Sequence, residues 1–246
     1  MLRINEASRR FGGLTAVDNV SFEVAPQEIL GVIGPNGAGK TTFFNLVSGA
    51  IPLSSGEIFF EGKSTRGMPP HKIAHMGIGR TFQIVRPFAN LTVLENVLAG
   101  IGARHSRSFS RSLGLYRNCA SIDEARGILA QTDLLQYADD MARKLSLGLL
   151  RRLEIARALA LKPRLLLLDE SFSGLSHKET TSLVALVREL RKRGMTVLLI
   201  EHNMYITMDL CDRLVVLDRG EKIAEGSPSA VRNDSRVIAA YLGTED

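Results

Sequence analysis

The run Gly34-Pro35-Asn36-Gly37-Ala38-Gly39-Lys40-Thr41-Thr42 fits the pattern G-x-x-x-x-G-K-[ST]. Glycines at this spacing let the backbone curl until successive N–H groups point inward at phosphate oxygens. Lys40 can then reach the β- and γ-phosphates of a nucleoside triphosphate, and the Thr41 hydroxyl can ligate Mg²⁺. Asn36, Gly37, Gly39 and Thr42 complete the contact set. Further along, Leu165-Leu166-Leu167-Leu168 ends in Asp169-Glu170, and Thr196-Val197-Leu198-Leu199-Ile200 ends in Glu201-His202. Acids at the carboxyl end of a buried strand stand where α/β proteins bind ligands.

These side chains need particular elements to hold them. Glu28–Ile33 reads as a short buried strand leading into the glycine loop. Thr42–Val47 places apolar residues as one face of a helix does, and that helix adds its N-terminal positive charge. The Leu165–Leu168 run suits a central parallel strand covered on both faces. Residues 1–26 read as antiparallel strands turning at Gly12-Gly13, with Val20, Phe22 and Val24 alternating. Glu57–Gly62 is a further strand, and Pro69-Pro70 blocks regular structure before a short helix.

From about residue 84 to 160 helical signals replace strands. Leu145-Ser146-Leu147-Gly148 opens a helix with the apolar stripe Leu149, Leu153, Ala156 and Leu159/Ala160, and Ser146 stands at the N-cap. Ser176-x-x-Glu179 is a capping box ahead of a helix burying Leu183, Leu186/Val187 and Leu190. After His202 come a helix, a hairpin-like pair around Arg219-Gly220 and a C-terminal helix.

The 45% hydrophobic content is that of a soluble globular protein, and no apolar run approaches the roughly 18 residues of a membrane span. We see no signal sequence, and Cys119 and Cys211 form no metal or redox spacing, which suits a reducing cytoplasm. The net charge of +5 is compatible with acidic lipid or nucleic acid nearby, but so modest an excess is usually a solvated surface, and no nucleic-acid partner is expected. Arg104 to Arg117 carries no acid, and reads either as a solvated connection or as a contact with anionic headgroups.

Gln83 follows Lys40 by 43 residues, Gly148 precedes Asp169 by 21, and His202 follows Glu170 by 32. With the phosphate loop, these landmarks resemble the ATP-binding subunit of ABC transporters over essentially the whole chain. Arg10–Leu14, Gly79-Arg80-Thr81-Phe82-Gln83, Arg151–Leu159, Glu201-His202-Asn203-Met204 and Ala240–Gly243 look like the ATPases of branched-chain amino acid importers, and closest to the larger of that system's two.

The resemblance implies an α/β P-loop (RecA-like) core, about 1–84 and 161–246. It also implies an N-terminal antiparallel β part and an inserted helical subdomain, about 85–160. It implies ATP and Mg²⁺ as cofactors, and adenine packing by Phe11 and Val17. Asp169, through water, serves Mg²⁺ with Thr41 and Gln83; Gln83 also senses the γ-phosphate and links to the membrane subunit; Glu170 polarises the attacking water; His202 braces the γ-phosphate and Glu170. Ser146 and Gly148 serve the nucleotide of a second ATPase subunit. The implied partners are that subunit, in a homo- or heterodimer, transmembrane permeases and, indirectly, a periplasmic binding protein. The place is the cytoplasmic face of the inner membrane. Ile84, Val85, Phe88 and Leu91 offer apolar surface to a permease helix.

The chain departs from that pattern at three places. Leu149 and Leu150 replace amide-bearing residues after the signature, Ser171 stands where Pro follows the catalytic acid, and Ser176 replaces Asn or Asp. The first predicts slower hydrolysis. Two rival functions stay open: a soluble ABC ATPase driving complex or cofactor assembly, and a regulatory subunit that binds ATP and scarcely hydrolyses it.

Overall fold

Val20, Phe22 and Val24 alternate with more exposed residues along the second strand, and all three are buried, as a sheet with one covered face requires. The computed structural model describes residues 1–81, 87–105 and 119–242. Gln83, Ile84, Val85 and, of the basic run, Arg107, Arg111 and Arg117 lie outside them. Two strands, β1 (Leu2–Phe11) and β2 (Leu14–Val24), form an antiparallel hairpin turning at Gly12-Gly13. With β4 (Ser55–Phe60) and β5 (Lys63–Ser64) they make a four-stranded sheet in the order β2-β1-β4-β5.

A second sheet holds the candidate chemistry. It contains β3 (Ile29–Ile33), β6 (Ile78–Arg80), β7 (Leu165–Asp169), β8 (Thr196–Ile200), β9 (Arg213–Asp218) and β10 (Glu221–Gly226). Their order is β10-β9-β3-β8-β7-β6, parallel except for β10. Every residue of β3, β7 and β8 is buried, which accounts for their unbroken apolar sequences. The strand expected at the centre, β7, is instead next to the edge strand β6. It is nonetheless fully covered.

Successive residues of these strands feed two cores. Leu30, Val32, Leu165, Leu167, Leu198 and Ile200 face the antiparallel sheet and α1 (Lys40–Val47), packing on Phe43 and Phe44. Ile29, Ile33, Leu166, Leu168, Val197 and Leu199 face the opposite side. There they meet α3 (Val93–His105), α4 (Cys119–Gln131), α5 (Leu147–Leu159) and α6 (His177–Lys192). Period-two alternation therefore places α1 and the antiparallel sheet on one face, and the long helices on the other.

Smaller elements among the described residues include α2 (Pro70–Met76), α7 (Met204–Leu210), α8 (Pro228–Arg232) and α9 (Ser235–Leu242). Pro70 begins α2, the position where a missing N–H costs no helical hydrogen bond. Between β6 and β7 the described residues form helices and one isolated bridge, Thr92 to Met141.

Candidate functional site

The parallel strands end on one edge, and there β3 passes into residues 34–39 before α1 begins. Gly34 and Gly39 have φ of 149° and 95°. A Cβ on Gly34 would stand 2.0 Å from the Leu217 carbonyl oxygen, and one on Gly39 2.2 Å from that of Ala16. Both positions thus demand glycine for backbone angle and for close approach to β9 and β2. The β9–β10 turn seals the loop, since the Gly220 N–H donates to the Ala38 carbonyl at 3.1 Å.

Lys40 is 5% exposed, and its Nζ donates to the Gly34 and Pro35 carbonyls, each at 2.8 Å. Its ammonium therefore lies within the curl of the loop. Burial pushes its pKa down, and the nearby Glu170 carboxylate opposes that. Beside it opens a cleft of ≈ 530 Å³, lined by Asn36, Gly37, Gly39, Lys40, Thr41, Thr42, Glu170 and His202. Ala38, residues 14–16 of β2 and Arg219 complete the wall.

The two acids at the end of β7 differ in surroundings. Asp169 is 1% exposed; its Oδ2 accepts from Arg80 at 2.9 Å. Its Oδ1 is buried without a hydrogen-bond partner among the described residues. Burial raises the Asp169 pKa and Arg80 opposes the rise. Asp169 does not itself line the cleft, but it directly precedes Glu170, which does, and an unpaired buried carboxylate oxygen there suits a hard divalent cation, which prefers oxygen donors. Glu170 takes a left-handed φ of 49°, its N–H donates to the Ile200 carbonyl at 3.0 Å, and its Oε1 lies 2.7 Å from His202 Nε2. Crossing from β7 to the end of β8, this contact joins two groups that stand 32 residues apart in sequence.

Glu201, beside His202, points inward. It is 4% exposed and its Oε1 accepts the Phe172 N–H at 2.9 Å, bracing the loop that follows Glu170. Burial pushes its pKa up to about 7. Ser171 is buried too, and its hydroxyl meets that of Thr81 at 3.1 Å. Replacement of Pro by Ser at this place is therefore met by a hydroxyl partner on the neighbouring chain segment. Ser176 caps α6 with Glu179 in a reciprocal box.

The structure distributes the remaining expected residues. Ser146 caps α5, its side chain accepting from the Leu149 N–H. Neither Ser146 nor Gly148 lines the cleft. A Cβ on Gly148 would meet Glu179 Oε1 at 2.5 Å, so the start of α5 packs on the start of α6. Leu149 is half-buried against the helical core. Phe11 is 44% exposed, with the Arg9 guanidinium 4.5 Å from its ring centroid.

Val17 needs reassignment: it is fully buried in the core beneath the antiparallel sheet, and residues 14–16 stand on the cleft instead. Strand alternation turns its side chain inward. Arg104 pairs with Glu124 at 2.8 Å, holding that carboxyl at about 2, so it is tied to α4 and is not part of a free basic run. Phe88 lies under the Arg157 guanidinium at 4.6 Å. Sequence reading missed Arg219, Arg80 and Glu201 as site residues. Arg219 showed only a turn, whereas the other two stood within quoted motifs without a role.

A glycine loop ahead of a helix, a buried acid with an unpartnered oxygen, and a second acid paired to histidine define a P-loop ATPase. The chain belongs to the ABC transporter ATP-binding family: the model described as ABC transporter matches residues 17–173. The model described as Branched-chain amino acid ATP-binding cassette transporter matches residues 221–246. The chain is 42% identical over 254 residues to the high-affinity branched-chain amino acid transport ATP-binding protein LivG of Escherichia coli (strain K12), covering 99% of this chain and 98% of LivG. It is 41% identical to BraF of Pseudomonas aeruginosa, with the same coverages. A solved nucleotide-free ATP-binding cassette from an ABC transporter superposes with a TM-score of 0.90 at 33% identity, covering 99% of both chains. A cassette in its ADP conformation gives 0.89 at 33% identity, over 99% of this chain and 98% of that one.

Proposed function

We propose that this ATPase powers an importer of branched-chain amino acids or a related small polar solute. It would work with transmembrane permeases, a second ATPase subunit and, indirectly, a periplasmic binding protein. One observation carries the reading: likeness to LivG and BraF runs through the whole chain, and the branched-chain model matches its last stretch, 221–246. The nucleotide core alone is less selective. LptB of Haemophilus influenzae, named for a lipopolysaccharide export system, is 35% identical over 245 residues.

In this reading ATP lies in the cleft with its triphosphate on residues 34–42 and adenine against Phe11. Lys40 supplies positive charge to the β- and γ-phosphates. Thr41 and Asp169, with Gln83, would hold Mg²⁺, which neutralises phosphate charge when bound. Glu170 takes a proton from the attacking water, and His202 holds its carboxylate in place. Ser146 and Gly148, outside this chain's own cleft, present a helix N-terminus to the nucleotide of a second subunit. A dimer would therefore complete each site.

No described helix is long and apolar enough to cross a membrane. Attachment to the cytoplasmic face of the inner membrane would come through the permeases. We also divide the chain, on the same reading, into a core of about 1–84 and 161–246 and a helical part of about 85–160.

Uptake of radiolabelled leucine, isoleucine and valine by cells lacking this chain tests the substrate. Loss of that uptake, restored by wild type and not by Lys40→Ala, supports the importer. Loss of urea or amide uptake alone moves the substrate. Unimpaired uptake of every solute would favour the assembly ATPase.

A further inference from the structure

Arg80 joins three elements in one buried place. It ends β6, and its guanidinium donates to Asn45 Oδ1 at 2.8 Å and Ser48 Oγ at 2.7 Å, both from the phosphate-loop helix and its C-cap. Its other terminal nitrogen donates to Asp169 Oδ2 at 2.9 Å, on β7. The two side chains are 12% and 2% exposed. Phe44 of α1 lies beneath, with its ring centroid 5.9 Å from the guanidinium carbon.

This geometry fixes which oxygen of Asp169 is left without a hydrogen bond. A carboxylate on a free χ2 presents either oxygen to a cation, at an entropic cost on binding. With Oδ2 held by Arg80, Oδ1 is the oxygen without a partner among the described residues. The planar fork serves donors to both sides at once, which a lysine ammonium on a flexible stem does less well. Because the same fork grips Asn45 and Ser48, Asp169 is also tied to the helix that begins with Lys40-Thr41.

We propose that Arg80 is a positioning residue for the divalent-cation site. It holds Asp169 by Oδ2, leaving Oδ1 for the metal's shell, and keeps that acid in register with Thr41 at the start of α1. The inference rests on the nucleotide reading above. Outer partners of metal-holding carboxylates of this kind typically set 10–100-fold of metal affinity.

The test separates metal binding from turnover. Mn²⁺ affinity in the presence of saturating ADP is measured by electron paramagnetic resonance, and ADP binding in EDTA by a fluorescent analogue. For Arg80→Met, EDTA binding should match wild type while Mn²⁺ affinity falls roughly 10- to 100-fold; Arg80→Lys should recover part of it. Mn²⁺ affinity of Arg80→Met within twofold of wild type overturns the proposal. Should Arg80→Met also lose EDTA binding, the double variant Asn45→Ala, Ser48→Ala decides. It keeps the pair with Asp169 and frees the other end of the fork. A fall in Mn²⁺ affinity with intact EDTA binding supports the strap, and an unchanged affinity overturns it. Wild type that binds neither ADP nor Mn²⁺–ADP would sink the nucleotide reading instead.

Discussion

His202 Nε2 stands 2.7 Å from Glu170 Oε1, joining the ends of β8 and β7 across the mouth of the cleft. Glu170 emerges with a left-handed backbone, and the histidine selects one direction for its carboxylate. Glu170→Gln preserves shape and hydrogen-bonding reach while removing the base. ATP turnover should fall roughly 10²–10⁴-fold with ATP binding retained. With the partner subunit and ATP and Mg²⁺, this variant should accumulate a closed dimer on size exclusion, and with ADP it should not. Added Ser146→Arg should abolish the dimer. Wild-type turnover in Glu170→Gln would remove the base from this position.

Lys40→Ala should weaken ATP binding about 10- to 100-fold, because hydrogen bonds from a charged group each contribute about 1.5–3 kcal/mol. Equilibrium titration with a fluorescent ATP analogue measures it. An unchanged affinity would contradict the phosphate site.

Glu201 gives a pH signature. Its folded pKa of about 7 lies above the 4.5 of the free group, so the folded chain favours the neutral acid. That stabilisation is fully present below pH 4.5 and is lost as pH rises through about 7. Glu201→Gln keeps an acceptor for the Phe172 N–H and cannot ionise. Its stability relative to wild type, read from denaturant melts, should therefore rise between pH 5 and pH 8, by an amount of order 3 kcal/mol at most. A pH-independent difference would show that the acid does not titrate there.

Leu149→Gln should lower stability by about 1 kcal/mol, since the side chain is half-buried against the helical core. For a chain of this length that is a Tm drop of roughly 2–4 °C. A thermal melt with no drop would show that the Leu149 contacts with the helical core contribute little to stability.

Local chemistry was legible in the chain itself. The glycine spacing named the phosphate loop, the capping box of Ser176 and Glu179 and the N-cap Ser146 were readable from neighbours three residues apart, and unbroken apolar runs marked β7 and β8. Such features depend on contacts within one turn or one strand, so residue order contains them.

Pairings between distant segments depended on the sheet. The order β3-β8-β7-β6 brings the Glu170–His202 pair together and sets Arg80 beside Asp169, 89 residues away. Val17 is buried in the core while the preceding residues 14–16, at the start of β2, border the cleft, an arrangement that depends on what covers the sheet. The turn at Arg219-Gly220 read as a hairpin alone became part of the site, because β9 runs beside β3 and delivers it to the phosphate loop. Residue types and their spacing along the chain already marked the groups able to bind phosphate and carry acid. Tertiary structure decided which of them meet, because strand order and side-chain facing are set by burial over the whole sheet and not by spacing along the chain.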